Sequence, residues 1–241
     1  MSHSPTVFSP VGTPLIDRTV GEIVAEMPSL ARVFQSFKID FCCQGGRTLR
    51  EACQLKALAV ETVVEQLEAG MQDKGNSGIN PAQLPPVELV KHIVATHHAY
   101  LWNELPRLRA MTAKVAQVHG GHTPSLIEVD VVFGRMADEL ADHMTKEETV
   151  LFPAILAMHH NGTAPLPLDG PIACMLHEHD DAGAALSRIR FITNDFTPPA
   201  DACNTYRALF AGLLELEDDL HRHIHLENSV LFPAALAMAE A

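Results

Sequence analysis

The sequence lacks the features of several common protein classes. It has no cluster of Lys or Arg, and 17 basic residues against 30 acidic ones give a formal net charge of −13. Such a charge repels nucleic acid phosphates and anionic lipid headgroups, so binding to neither is expected. No apolar segment is long and uncharged enough to span a bilayer. Residues 1–10 also lack the basic region and apolar run of a secretory signal, which predicts a cytoplasmic protein.

Cysteine does not occur in the patterns that build a scaffold. The 5 cysteines include no CxxC pair, so the sequence predicts neither a disulfide framework nor a structural zinc site. Flavin, haem and reductase-docking motifs are absent as well, so any redox turnover would need an unnamed electron donor. Histidine, by contrast, occurs 14 times, mostly after residue 90.

The most informative pattern is a repeat at an offset of 80 residues, from 143 to 223. His143 and Glu147, followed by Val-Leu-Phe-Pro-Ala, return as His223 and Glu227, followed by the same five residues. The His and the Glu of each copy stand four residues apart, which places both side chains on one face of an α-helix. Each copy could therefore present a nitrogen and an oxygen to one metal ion.

The neighbouring residues predict that these side chains point inward, because apolar residues recur at steps of three and four through both copies. A buried, uncompensated carboxylate costs several kcal/mol, and metal coordination is the usual compensation. The alternative is a pair of buried His–Glu hydrogen bonds, which leaves the histidines of the other two long helices unexplained. The stripes run through Leu126, Val129, Phe133, Met136 and Leu140 in the first copy and Tyr206, Leu209, Leu213, Leu216 and Leu220 in the second.

The third long helix offers one histidine on its apolar stripe. His179 lies on this stripe, whereas His177 falls on the other side of the helix. By the same test, His221 and His225 lie off the stripe that holds His223. These off-stripe histidines are expected to be solvated or to lie behind the ligands.

The first long helix leaves a choice between two histidines. Both His97 and His98 fit its apolar stripe, and periodicity alone does not choose between them. The offset to His179 is 81 residues from His98 and 82 from His97. The repeat offset of 80 therefore weakly favours His98.

The chain is predicted to be all-α and to contain two domains. The second domain holds four long amphipathic segments joined by short connections, which predicts an up-down four-helix bundle. A small helical domain with capping boxes at Thr19 and Thr48 comes before it, and a segment rich in Gly, Pro, Asn and Ser separates the two. The predicted parts are an extended lead (1–17), the small helical domain (18–70), a linker (71–86) and the bundle (87–241).

Two adjacent cysteines form a separate candidate site. Cys42 and Cys43 lie on a loop just before the helix that Thr48 caps. At this position a helix dipole could lower the pKa of a thiol and favour a reactive thiolate. The alternative is that both are small packing residues. The linker places this pair in a different domain from every candidate metal ligand.

Four histidines and two glutamates suit two metal ions better than one. Imidazole and carboxylate ligands without thiolate favour iron, with zinc and manganese as alternatives. Ferritin-type di-iron sites use a Glu-x-x-His spacing, whereas the spacing here is His-x-x-x-Glu. The sequence therefore predicts a different and more His-rich bundle site.

These motifs resemble a known family. The bundle resembles a hemerythrin-like domain, and its ligand motifs resemble those of the RIC (repair of iron centres) di-iron proteins. The segment Asp40 to Cys43 with Gly45-Gly46 resembles the ScdA-type N-terminal domain of that family. The matching bundle motifs are His98 ahead of Glu104-Leu105-Pro106, His143 to Glu147, Glu178-His179-Asp180, and His223 to Glu227.

The resemblance implies a non-haem di-iron centre with two iron ions per chain and with Glu147 and Glu227 as bridges. It also implies a role in restoring iron-sulfur clusters damaged by nitric oxide or peroxide. Glu139 and Glu178 match family residues that lie near the site and are linked to water or proton access. The implied metal ligands are His98, His143, Glu147, His179, His223 and Glu227.

Three functions follow as hypotheses. The first is iron supply to damaged iron-sulfur proteins, with Cys42 and Cys43 as a candidate thiol relay. The second is nitric oxide reduction at the paired irons, and the third is an oxygen or redox sensor of the hemerythrin type. Nitric oxide or dioxygen would be the small ligand, and a homodimer is one candidate assembly.

Overall fold

The computed structural model describes residues 12–72 and 79–239. Within these ranges the chain is helical and forms no strand, only an isolated bridge between Thr19 and Thr48. The predicted all-α class is confirmed. Most of the predicted lead and the central part of the predicted linker lie outside the described residues. No described helix is long and apolar enough to cross a membrane.

One compact unit, here called the bundle unit, comprises residues 92–154 and 165–220. Its core is a single apolar cluster to which four helices contribute, with Leu101, Phe133, Leu186 and Leu213 as examples. Short connections join consecutive helices, as expected for antiparallel neighbours in a bundle. The predicted four-helix bundle is confirmed. Its helices are α6 (Ala99–His119), α7 (Ser125–Lys146), α9 (Asp169–Ile192) and α10 (Asn204–Leu226).

The second compact unit, here called the N-terminal unit, comprises the described residues up to 91 together with 155–164 and 221–239. Its core includes Phe34, Phe41 and Leu49 from the N-terminal region and Ile224 from the end of α10. The capping boxes predicted at Thr19 and Thr48 are both present. The helices before the bundle are α1 (Val20–Glu26), α2 (Ala31–Ser36), α3 (Leu49–Leu55), α4 (Val60–Gln72) and α5 (Pro86–Ile93).

Residues 221 onward thus belong to the same compact unit as the cysteine loop. A division of the sequence at the linker would place these residues in a different domain from the cysteine loop. In the structure, Ile224 packs in the same apolar cluster as Phe41 and Cys42. The last turns of α10 carry His223 and Glu227 follows directly. The cysteine pair and one predicted His–Glu pair therefore lie in the same compact unit.

Three helices change to a wider π-helical turn at the predicted ligands. His98 is the last residue of π1, and Glu147 and Glu227 are the first residues of π2 and π3. Proline at 153 and 233 follows π2 and π3 at the same distance. A proline cannot donate the helical hydrogen bond, and π-helical turns occur often at functional sites. The segments are π1 (Val94–His98), π2 (Glu147–Leu151) and π3 (Glu227–Leu231), with α8 (Phe152–Asn161) and α11 (Phe232–Ala239) after the last two.

Arg190 holds the end of α9 in the bundle unit. Its Nε lies 2.9 Å from Oε1 of the buried Glu217, and this hydrogen bond raises the pKa of the guanidinium. The connection after α9 contains Asn194, Asp195 and Phe196, each with φ between 51° and 55°. Such backbone is strained for residues with a side chain. Arg190 contacts Asp195 Oδ1 at 3.2 Å and lies 4.8 Å from the centre of the Phe196 ring.

We predict that Arg190→Ala lowers the free energy of unfolding by about 3 kcal/mol, because it leaves the Glu217 carboxylate buried without its cation. Urea unfolding followed by circular dichroism measures this loss. Arg109→Ala is the matched control, since Arg109 and Asp138 form an exposed ion pair in the same unit. Exposed pairs contribute little. Equal effects of the two substitutions would contradict the prediction.

Candidate metal centre

Four predicted ligands converge in the core of the bundle unit. Glu147 Oε2 lies 3.3 Å from His98 Nε2 and 3.3 Å from His143 Nε2. His179 Nε2 lies 3.1 Å from His143 Nε2. All four side chains are buried, and the donor atoms of His143, Glu147 and His179 lie within 4.8 Å of one another. Helices from three parts of the sequence thus direct two kinds of ligand atom to one place.

The other ring nitrogen of two of these histidines faces a second carboxylate. His98 Nδ1 lies 2.9 Å from Glu148 Oε1, and His143 Nδ1 lies 2.9 Å from Glu178 Oε2. A carboxylate accepts hydrogen bonds, so each Nδ1 carries the proton that it donates. In a neutral ring the Nε2 atom then presents its lone pair.

His98 Nε2 and His143 Nε2 both face Glu147 Oε2 at 3.3 Å. Two ring nitrogens and a carboxylate oxygen in this arrangement could bind one cation, and a carboxylate on the outer ring nitrogen is the usual support of a metal-bound histidine. The donor set fits a metal ion that prefers imidazole and carboxylate, iron among them.

The structure separates the two histidines that periodicity left open. His98 Nε2 faces Glu147, whereas His97 Nδ1 lies 2.9 Å from Asp219 Oδ1. Both rings are buried. His97 therefore belongs to a neighbouring buried pair and not to the cluster around Glu147.

The second copy of the repeat lies in the N-terminal unit. His223 Nε2 lies 3.0 Å from Glu227 Oε1, and both side chains are buried. The four-residue spacing therefore brings nitrogen and oxygen together as expected. Because π3 begins at Glu227, the helix widens directly after the pair, as π2 does after His143 and Glu147.

The histidines expected off the stripe behave differently from one another. His177 is exposed, with a side-chain exposure of 77 %. His225 is buried against the Phe41 ring, with ring centres 5.7 Å apart. Burial lowers the pKa of His225 to about 4, so the ring is neutral at physiological pH. Of the two environments expected for His225, a solvated one is excluded.

Glu178 and Glu139 line a cavity of about 250 Å³ in the bundle unit that reaches His143. Glu178 contacts His143 directly and pairs with Lys146. Burial opposes ionisation of Glu178, but the hydrogen bonds from Lys146 and His143 outweigh it and hold its pKa below the ordinary value. Glu139 is half exposed and pairs with Arg135 at 2.7 Å. Of Glu139 and Glu178, it is Glu178 that contacts a predicted ligand.

The structure decides between the two alternatives for Cys42. The Cys42 and Cys43 sulfur atoms lie 3.7 Å apart, and Cys42 is buried. A hydrogen bond with Cys43, burial and the nearby Asp40 carboxylate raise the pKa of Cys42 well above its ordinary value. The alternative of a Cys42 thiolate favoured by a helix dipole is contradicted, because α3 begins only at Leu49 and the local groups dominate.

Asp40 and Asn228 hold the cysteine loop. Asp40 Oδ1 accepts hydrogen bonds from the backbone N–H groups of Cys42 and Cys43 at 3.0 and 2.9 Å. It also accepts a hydrogen bond from the Cys42 thiol, with Sγ 3.3 Å from Oδ1. Asn228 Nδ2 donates to the Cys42 carbonyl oxygen at 3.1 Å. The residue after Glu227 therefore contacts the cysteine loop. This contact was not predicted, because the predicted linker places the two in different domains.

Two family models match the chain. ScdA_N, described as a domain of unknown function, matches residues 16–70, and the Hemerythrin HHE cation binding domain matches residues 90–235. Together they contain the cysteine loop and all six predicted ligands.

Proteins named iron-sulfur cluster repair protein YtfE are similar over nearly their whole length. The protein of Dickeya chrysanthemi is 39% identical over 220 residues, covering 91% of this chain and 97% of its own. That of Edwardsiella ictaluri is 40% identical over 220 residues with the same coverage. That of Musicola paradisiaca is 38% identical over 223 residues, covering 91% and 96%.

We predict that His98→Asn and His97→Asn affect metal binding differently. Loss of the His98 imidazole should weaken binding of Fe²⁺ by more than about 10-fold, the lower end of the range for residues around a metal site. His97→Asn should weaken it less, because the His97 ring pairs with Asp219 and does not belong to the cluster around Glu147. Anaerobic Fe²⁺ titration of both variants measures the difference. His177→Asn is the exposed control and should bind as the parent does. A reversed order of His97 and His98 would refute the assignment.

Proposed function

The chain belongs to the hemerythrin family and, within it, to the group that includes the iron-sulfur cluster repair proteins YtfE, and on this premise we propose that it repairs iron-sulfur clusters damaged by nitrosative or oxidative stress. The observation that carries the proposal is the buried cluster of His98, His143 and His179 around Glu147. It contains nitrogen and oxygen ligands and no thiolate, as an iron site of the hemerythrin type requires. The proposed compartment is the cytoplasm.

The family match and the buried His and Glu clusters make this a metal-binding domain. Our finer proposal is a non-haem centre of two iron ions per chain, with Glu147 and Glu227 as bridges. Bound iron would supply the metal that a damaged cluster has lost. The six proposed ligands are His98, His143, Glu147, His179, His223 and Glu227.

The carboxylates around the imidazoles give the protein control over the bound metal. Glu178 fixes the proton of His143 on Nδ1 and is itself held by Lys146. The cavity of about 250 Å³ beside these residues gives small molecules access to His143. This access supports a second candidate function, nitric oxide reduction, which would require an external electron donor.

We propose the cysteine pair as the relay between the iron site and a client protein. Cys42 is buried as a thiol bonded to Asp40, whereas Cys43 is partly exposed. Thiolates are soft ligands and also hold the iron of iron-sulfur clusters. The damaged iron-sulfur proteins are the proposed partners.

We predict that anaerobic reconstitution loads about two iron ions per chain, because His and carboxylate sites with shared bridges bind iron in pairs. Metal analysis measures the content, and near-ultraviolet absorption should grow when the loaded protein is oxidised. Glu147→Ala and Glu227→Ala should each lower the iron content and the stability together. A single zinc ion, or no metal after reconstitution, would refute the di-iron proposal.

We predict that the double substitution Cys42→Ser with Cys43→Ser separates the two candidate functions. The backbone contacts to Asp40 and Asn228 do not need sulfur, so the variant should keep its fold and iron content. As an iron donor it should fail to reactivate a damaged iron-sulfur enzyme, whereas as a nitric oxide reductase it should consume nitric oxide at the parental rate with an artificial reductant.

The control is Cys203→Ser, since this cysteine is exposed and lies outside the loop. This control should keep repair activity. Full repair by the Cys42 and Cys43 variant would remove the relay proposal and leave the iron proposal intact.

A further inference from the structure

Glu148 connects a buried candidate ligand to a residue at the surface. Its Oε1 atom accepts a hydrogen bond from His98 Nδ1 at 2.9 Å and one from Trp102 Nε1 at 3.2 Å. The His98 side chain is 1 % exposed, that of Glu148 is 35 % exposed, and Trp102 is 44 % exposed. The carboxylate therefore bridges the protein interior and the solvent. The sequence pattern did not identify Glu148, because it lies one residue beyond the stripe.

Consecutive residues of one π-helical turn hold opposite sides of the His98 ring. Glu147 Oε2 lies 3.3 Å from Nε2, and Glu148 Oε1 lies 2.9 Å from Nδ1. The Phe152 ring stacks on His98, with the centres 5.6 Å apart and the planes at 20°. The proton on Nδ1 and the plane of the ring are thus both fixed, with Nε2 directed to Glu147.

The sequence repeat shows that this contact is specific to the first copy. The residue 80 positions after Glu148 is Asn228, whose Nδ2 donates to the Cys42 carbonyl oxygen. The two copies share the π-helical turn and the proline that follows it. The second residue of the turn is a carboxylate in the first copy and an amide in the second. The shared backbone conformation therefore does not by itself require a carboxylate at position 148.

We propose that Glu148 is a positioning residue for the metal centre, holding His98 as the Nδ1–H tautomer, and that Trp102 keeps Glu148 in place. This inference rests on the proposed function, because it assigns His98 as a metal ligand. A carboxylate behind a ligating histidine makes the ring a stronger donor and fixes its direction. Glu148 thus does for His98 what Glu178 does for His143.

The test uses the full-length, iron-loaded protein and the substitution Glu148→Gln, which keeps the size of the side chain and removes its charge. We expect release of Fe²⁺ to the chelator ferrozine to be about 10-fold to 100-fold faster than from the parent, the range found for partners of ligating histidines. Trp102→Phe should accelerate release less, because Glu148 stays charged. Glu128→Gln is the control, since this carboxylate is also on the bundle and pairs with exposed Arg188.

A second readout is independent of iron release. Trp102 is the only tryptophan, so its fluorescence reports on its hydrogen bond to Glu148. Iron loading should change the emission in the parent and in Glu128→Gln, and this change should shrink in Glu148→Gln. Thermal unfolding of the variants without iron separates positioning from stability, since Glu148→Gln should unfold close to the parent.

The outcomes distinguish a failure of the positioning role of Glu148 from a failure of the proposed function. If the parent binds iron and Glu148→Gln releases it at the parental rate, the positioning role is wrong and the proposed function stands. If the parent binds no iron, the proposed function itself fails. If Glu148→Gln releases iron faster only in proportion to a lowered melting temperature, Glu148 has a structural role and the inference is overturned.

Discussion

The structure of the bundle core depends on the placement of a carboxylate, Glu147, among apolar side chains. Burial of a charge without compensation is among the most expensive events in folding. The surrounding groups are imidazoles whose outer nitrogens are held by Glu148 and Glu178. This arrangement adds negative charge to the site, which a bound cation would compensate. The electrostatics of the core thus agree with the match to a cation binding domain.

The backbone supports this arrangement by the same means in both copies of the repeat. A π-helical turn begins at Glu147 and at Glu227 and is followed by a proline. The wider turn changes which residues face the core, so Glu147 and Glu148 can both reach one imidazole. A strict α-helical wheel separates consecutive residues by about 100° and does not predict that contact.

Much of the fold, and the proximity of several candidate ligands, could be predicted from spacing. The four-residue step of His223 and Glu227 needs only a regular helix, and the structure brings these atoms to 3.0 Å. The choice between His97 and His98 could not be predicted, because both lie near the stripe and the deciding partner, Asp219, is 122 positions from His97. The raised pKa of Cys42 could not be predicted from the sequence either. It depends on Cys43, on burial and on Asp40, and not on the distance to α3 along the sequence.

The two sulfur atoms of the cysteine loop differ in solvent exposure, which the sequence does not show. Cys43 is partly exposed, whereas Cys42 is buried with its thiol proton bonded to Asp40. An electrophile or a thiol-seeking metal from solution therefore meets the sulfur atom of Cys43 before that of Cys42. The pair thus presents an outer and an inner sulfur atom to the solvent side of the loop, 3.7 Å apart.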